Sequence, residues 1–225
     1  MTFLYNIFIL LYKIALWCFS LFNTKAKEIV KNQRNLIQKI QSSTKGEKNI
    51  VWFHAASLGE FEQGKPIIET YKLKHPTHQI LLTFFSPSGF EIRKETPLAS
   101  WVFYLPADTK SNAKKFITII NPIKAVFVKY EFWFNYMAEL NKQNIPFYSV
   151  STIFRNRQPF FKYKWFAKQL EHANHFFVQD KKSGQLLKTI GFSNFTVSGD
   201  TRFDSVLANT RNSENNPLVD MFSKN

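Results

Sequence analysis

Two carboxylates, a serine and an arginine stand where this chain can do chemistry. Ser57 and Glu60 fall in VWFHAASLGEFEQG, residues 51–64, where an apolar run shrinks to Ala-Ala-Ser and turns at Gly59. Glu60 then opens the next helical stretch. A carboxylate at a helix N-terminus is favoured in its ionised form by the positive end of the dipole. Projecting from a sheet rim into an open hollow, it can take a proton from an incoming hydroxyl, which is general-base work. The same S-x-x-E spacing also makes a capping box, with Ser57 capping the helix and Glu60 closing it. The local pattern supports both readings. Glu131 follows the apolar run IKAVFVKY, and Arg155 follows PFYSVST. Glu131 is either a second acid of the same site or a helix-start carboxylate. An exposed arginine grips a phosphate or carboxylate bidentately; the alternative for Arg155 is a loop salt bridge.

Other residues weigh less. Ser86, Ser88 and Gly89 in FFSPSG make either an anion-accepting helix start or a plain turn. Asp108 in LPADT reads chiefly as the cap of the helix that follows it. His75 and His78, and His172 and His175, have H-x-x-H spacing, but neither pair has the neighbouring acid or cysteine of a convincing zinc site. No metal is expected. There is no Walker loop and no G-x-G-x-x-G after a strand. The single cysteine, Cys18, excludes an internal disulfide framework.

The elements that must hold these groups are legible as alternation. Seven short apolar, β-rich runs recur from residue 50: NIVWFHAA, QILLTFFS, WVFYLP, IKAVFVKY, PFYSVST, HFFVQD and NFTVSG. Helical stretches such as EFEQGKPIIETYKLK, TKSNAKKFITII and EFWFNYMAELNKQ lie between them. Strands apolar almost throughout and spaced by helices predict a parallel sheet covered on both faces, a doubly wound Rossmann-like α/β domain. Ligands of such sheets bind at the carboxyl ends of the strands. Ser57, Gly59, Glu60 and Glu131 therefore fall on the functional edge. Ala55, Ala56 and Gly59 let a ligand approach the backbone closely.

The chain has 30 Lys and Arg against 16 Asp and Glu, a net charge of +14, and 25 Phe. Such a balance fits an anionic partner: nucleic acid, an acidic membrane face or a phosphorylated substrate. Residues 3–22 are apolar except Asn6, Lys13 and Ser20. As a helix they span roughly 30 Å, one hydrocarbon core. Residues 1–22 are thus expected to be a membrane anchor, spanning or lying in the interface; the alternative is a buried first helix. Lys25, Lys27, Lys31 and Arg34 follow, and the positive-inside bias holds the body in the cytoplasm. Residues 23–49 read as a basic helix and linker, 50–207 as the α/β domain and 208–225 as a polar linker. PFFKYKWFAKQL, residues 159–170, interleaves aromatics with lysines and suits either a membrane surface or a core helix with a basic side.

HAASLGEFEQGKPIIE, LLTFFSPSG, LPADT, KYEFWFN, STIFRNRQPFF, FVQD and VSGDTRFD occur in this order. Together they resemble the bacterial 3-deoxy-D-manno-octulosonic acid (Kdo) transferases. The resemblance implies the N-terminal half of a GT-B glycosyltransferase at the inner membrane. Its donor would be CMP-Kdo and its acceptor the lipid A precursor, lipid IV A, with no cofactor, inversion and no covalent intermediate. It implies Glu60 as catalytic base, and Ser57, Gly59, Glu131 and Arg155 on the acceptor side. Where many members read Glu-Thr-Glu-Leu-Trp, this chain has Lys129-Tyr130-Glu131-Phe132-Trp133, so the first acid is Lys129. Asp200-Thr201-Arg202 stand where many members read Asn, an apolar residue and Lys, which makes Arg202 the donor-side candidate. The resemblance also implies a donor domain beyond the chain's end, and no efficient transfer by these residues alone. The competing expectation is a non-catalytic membrane module that binds anionic lipid. No nucleic-acid module is recognisable.

Overall fold

A computed structural model describes residues 2–203. The expected 208–225 linker and the last residues of the expected domain lie outside them. All seven apolar runs form strands: β1 (Ile50–Ala55), β2 (Gln79–Phe84), β3 (Trp101–Tyr104), β4 (Lys124–Val128), β5 (Phe147–Thr152), β6 (His175–Val178) and β7 (Phe195–Val197). They form one parallel sheet in the order β3-β2-β1-β4-β5-β6-β7. The order reverses between β1 and β4. At such a switch point the connecting helices part to opposite faces, and the carboxyl ends of the strands there are where sheets of this kind bind ligands.

Nine α-helices are described. They are α1 (Thr2–Phe19), α2 (Thr24–Gln33), α3 (Leu36–Ser43), α4 (Leu58–Lys74), α5 (Pro87–Arg93), α6 (Lys110–Ile120), α7 (Phe134–Lys142), α8 (Lys164–Gln169) and α9 (Lys181–Thr189). Successive strand side chains point to opposite faces, so each central strand feeds two cores. Ile50, Trp52, Leu81, Ala125 and Phe127 pack with α3, α6 and α7 on one face. Val51, Phe53, Leu82, Val126 and Val128 pack with Phe61 and Ile68 of α4 on the other. Trp52 is fully buried. Its ring meets Phe116, Phe127 and Tyr136 edge-on, and its Nε1–H donates to Thr83 Oγ1 at 2.8 Å. On the α4 face a glycine sets the approach: a Cβ at Gly64 would lie 2.7 Å from Val128 Cγ2.

Three expectations about the elements change. Part of the 23–49 linker is the packed helix α3. Asn35, in the left-handed region at φ 53°, breaks α2 from α3, and Leu36 and Ile40, one turn apart, are buried in the domain core. The buried-first-helix reading of α1 also fails, because Ile9 is its one buried residue. Instead α1 lies along the domain on a single stripe. Tyr5 packs against Phe134 and Trp165, Asn6 Oδ1 accepts from Asn135 Nδ2, and Tyr12 meets Phe85. Phe3, Leu4, Phe8, Leu11 and Ile14 stay exposed on the rest of its surface. Within residues 159–170 both readings meet. Phe160 is buried and Phe161, Trp165 and Phe166 pack on the core, while Lys162, Lys164 and Lys168 are exposed.

Candidate functional site

β1 ends at Ala55, and α4 starts at Leu58 after a two-residue connection. Gly59 is therefore not the turn that its type suggests, but the second residue of α4. Space beside it is open: a Cβ there would meet nothing within 4 Å. Ser57 is the N-cap in extended backbone (φ −140°, ψ 170°), yet its hydroxyl makes no capping bond. Glu60 makes the return half of a capping box alone. Its Oε2 accepts from the backbone N–H of Ala56 at 2.6 Å, and the Ser57 N–H also faces it. Half of the structural motif is thus missing, and the Ser57 hydroxyl is left outside it.

That bond corrects the expected openness. Glu60 is 9% exposed rather than projecting freely into a hollow. The unsatisfied N–H groups at the helix start draw its carboxylate back over the loop. The same burial, followed by the charge of Glu131, pushes the Glu60 carboxyl up to about 7. The Ala56 and Ser57 N–H groups and the Lys129 ammonium pull the other way. Burial wins, so near neutral pH Glu60 is poised between carrying and accepting a proton.

Glu131 reaches the same place from β4. That strand ends at Val128, and Lys129 follows in the left-handed region at φ 65°. Non-glycine residues held there store strain, which must be offset by surrounding contacts. Here the Lys129 carbonyl accepts from Ser149 Oγ at 2.8 Å and Thr152 Oγ1 at 3.1 Å. The turn sets Glu131 beside His54, with Oε2 3.9 Å from His54 Nε2 and the Glu131 side chain 16% exposed. His54 is fully buried on β1. Trp133 Nε1–H donates to its Nε2 at 3.2 Å, so the ring proton sits on Nδ1, facing Thr83 O and Oγ1 at 3.1 and 2.9 Å. With Nε2 occupied as an acceptor, the Glu131–His54 approach is a contact and not an ion pair. The carboxylates that follow β1 and β4 therefore flank the topological switch point, near enough for the charge of Glu131 to act on Glu60.

The remaining candidates spread along the same edge. Arg155 follows β5 and is exposed; among the described residues its guanidinium forms no ion pair, so the loop salt bridge is not formed. Arg202 is held by Asp200, whose carboxylate accepts from both Nε and Nη2, and this pairing keeps the Asp200 carboxyl below its usual range. Ser86 caps α5 through a bond from Ser88 N–H at 3.3 Å. Asp108 caps a helix other than the expected one. Thr109 Oγ1 caps α6, while Asp108 accepts from Asn135 N and Tyr136 N, both at 3.1 Å, at the start of α7. Tyr5 of α1 donates to the same carboxylate, and burial raises the Asp108 carboxyl to about 6. Among the described residues no three His, Cys, Asp or Glu side chains gather as a metal would need.

His54, Trp133 and Lys129 are the site residues that pattern reading did not single out as candidates. One signal for His54 was available: it is the one strongly polar side chain in an otherwise apolar strand.

Residues 29–205 match the sequence profile of the family described as 3-Deoxy-D-manno-octulosonic-acid transferase (kdotransferase). The chain belongs to this family. It is 27% identical over 160 residues to the 3-deoxy-D-manno-octulosonic acid transferase of Haemophilus influenzae, covering 68% of this chain and 38% of the relative. The Aquifex aeolicus enzyme of that name is 34% identical over 94 residues, covering 41% of this chain and 26% of the relative. The Bordetella pertussis one is 25% identical over 170 residues, covering 70% and 38%. The chain thus spans 26–38% of the length of these curated Kdo transferases. Two solved structures share the fold. A putative UDP-N-acetylglucosamine 2-epimerase from Listeria monocytogenes aligns with TM-score 0.59 and 13% identity over 79% of this chain and 52% of its own. The Neisseria meningitidis UDP-GlcNAc 2-epimerase bound to UDP-GlcNAc aligns with TM-score 0.56 and 13% identity over 72% and 50%. At such identities they show the fold alone: the GT-B-like, Rossmann-type sheet read from the sequence.

Proposed function

We propose that this chain is the acceptor side of a glycosyltransferase that moves Kdo from CMP-Kdo onto the lipid A precursor, lipid IV A, with Glu60 as general base. The observation that carries this reading is that Glu60 follows β1 and Glu131 follows β4 at the switch between those strands, with the charge of Glu131 acting on the Glu60 carboxyl. A sugar hydroxyl entering beside Gly59 would give its proton to Glu60. Its oxygen would attack the anomeric carbon of Kdo as the bond to CMP breaks and the cytidylate leaves with the electron pair. One displacement inverts the anomeric centre and leaves no covalent enzyme intermediate. Glu131 keeps the Glu60 carboxyl high and so raises its basicity. Among the described residues the Ser57 hydroxyl makes no capping bond and Arg155 forms no ion pair, so Ser57 offers its hydroxyl to the acceptor and Arg155 its cation to the acceptor's phosphate. Arg202, held by Asp200, stands on the donor side. Lys129 stands where many members of the family have an acid, and its ammonium acts on Glu60 by lowering its carboxyl.

The enzyme would sit on the inner membrane with its body in the cytoplasm. α1 is the one described helix long and apolar enough to cross a bilayer. Its stripe of contacts with the domain, from Tyr5 to Tyr12, favours lying in the interface, since crossing would strip those contacts away. The competing reading, a non-catalytic lipid-binding module, draws on the 9% exposure of Glu60. Supplying the donor-binding half of a family member together with this chain, CMP-Kdo and lipid IV A tests the reaction. The expected result is a lipid product heavier by Kdo and release of CMP. Release of CMP with no Kdo-bearing lipid, or neither product, would contradict the reading.

A further inference from the structure

Lys110 and Lys114 of α6, Lys142 of α7 and Lys168 of α8 line one pocket of about 630 Å³ whose lining includes neither Glu60 nor Glu131. Its floor is apolar: Phe134 and Trp165 lie there edge to face, with ring centroids 5.4 Å apart. All four lysines are exposed, and among the described residues none of them forms an ion pair. Glu139, the one acid in the lining, already accepts from Gln143 Nε2 at 2.8 Å. Thr2 also lines it, so the pocket borders the root of α1. Phe3 is 75% exposed there and Phe8, five residues further on, 62% exposed. Four unpaired cations over an aromatic floor, beside an apolar helix, match an amphiphile with an anionic head and a hydrocarbon body.

We propose that this pocket seats the phosphate headgroup of an anionic glycerophospholipid from the bilayer on which α1 lies. The lysines neutralise the phosphate, Trp165 and Phe134 take the glycerol and first methylenes, and the acyl chains leave past Phe3. Bound lipid would fix the rotation of the domain on the membrane. The proposal rests on the part of the reading above that puts α1 at a bilayer, and not on Glu60 as a base. Its test reads lipid and not transfer, so the two can fail separately.

Trp165 reports on the site. Monomeric dihexanoylphosphatidylglycerol should shift the tryptophan emission saturably in the wild-type chain and not in W165F. Lys142→Gln with Lys168→Gln should weaken that binding at least tenfold. On vesicles, the preference for phosphatidylglycerol-containing over pure phosphatidylcholine membranes should fall about thirtyfold, the effect of two lysines at an anionic surface. The control pair Lys72→Gln with Lys74→Gln, on α4 across the sheet, should leave it unchanged. No saturable shift with the monomeric lipid would overturn the proposal. So would inorganic phosphate competing at the same concentration as the lipid, or equal losses from the two lysine pairs.

Discussion

Glu60→Gln should make this protein more stable at pH 8, even though it removes a carboxylate from a helix start. The folded-state carboxyl titrates at about 7 against an ordinary value of 4.5. Between those values the folded chain holds a proton that the unfolded chain has released. Stability from this group is therefore fully present below about pH 4.5 and is lost as pH rises to about 7. The gap of some 2.5 units corresponds to about 3 kcal/mol of penalty on the ionised form above pH 7. Glutamine keeps an oxygen for the Ala56 N–H and carries no charge to bury. The expected gain is about 2–3 kcal/mol at pH 8, or roughly 6–9 °C in Tm at about 3 °C per kcal/mol for a chain of this size. It should shrink to nothing by about pH 4.5. Thermal melts of both proteins followed by circular dichroism at pH 4.5, 6 and 8 measure it. A purely structural cap behaves oppositely and would lose about 0.5–2 kcal/mol at pH 8. A lower Tm for the variant at pH 8 would refute the reasoning that a buried carboxylate is kept there at the expense of stability.

Glu131→Gln removes the second cause of the raised Glu60 carboxyl, so carbon-13 NMR of labelled glutamates should show the Glu60 titration moving to lower pH; an unmoved or raised midpoint would separate the two acids. Asp108→Ala strips the start of α7 and the Tyr5 anchor of α1 together. It should cost about 2–4 kcal/mol in urea denaturation and speed proteolysis after α1. Gly89→Ala would put a Cβ 2.3 Å from the ring of buried Phe84 and 3.1 Å from Leu58 N. It should destabilise by about 1–3 kcal/mol and disturb the start of α4.

The fold could be read because parallel strands buried on both faces leave unbroken apolar runs, and every such run is a strand of the sheet. Elements of low contrast were harder. α5 has seven residues and α9 nine, most of them polar, so each offers few apolar positions to mark a helix. Strand order cannot be read from such runs, because it depends on which helix crosses which face, and it is the order that brings Glu60 and Glu131 together. Asp108 was misplaced because a cap was expected from its neighbour in sequence. Its partners, Asn135 and Tyr136, are 27 and 28 residues away. The reach of Glu60 back to Ala56, and with it the burial that raises its carboxyl, depends on side-chain direction that the S-x-x-E spacing leaves open.

The central claim is that Glu60 takes the proton of the attacking hydroxyl. The pH dependence of kcat/KM for Kdo transfer, with the donor-binding half supplied, measures this in wild type and in Glu60→Gln. The account predicts a rising limb with a midpoint near pH 7 in the wild type. In the variant the limb should disappear and the rate should fall by about 10²–10⁴. A variant that turns over at the wild-type rate with the same rising limb would contradict it.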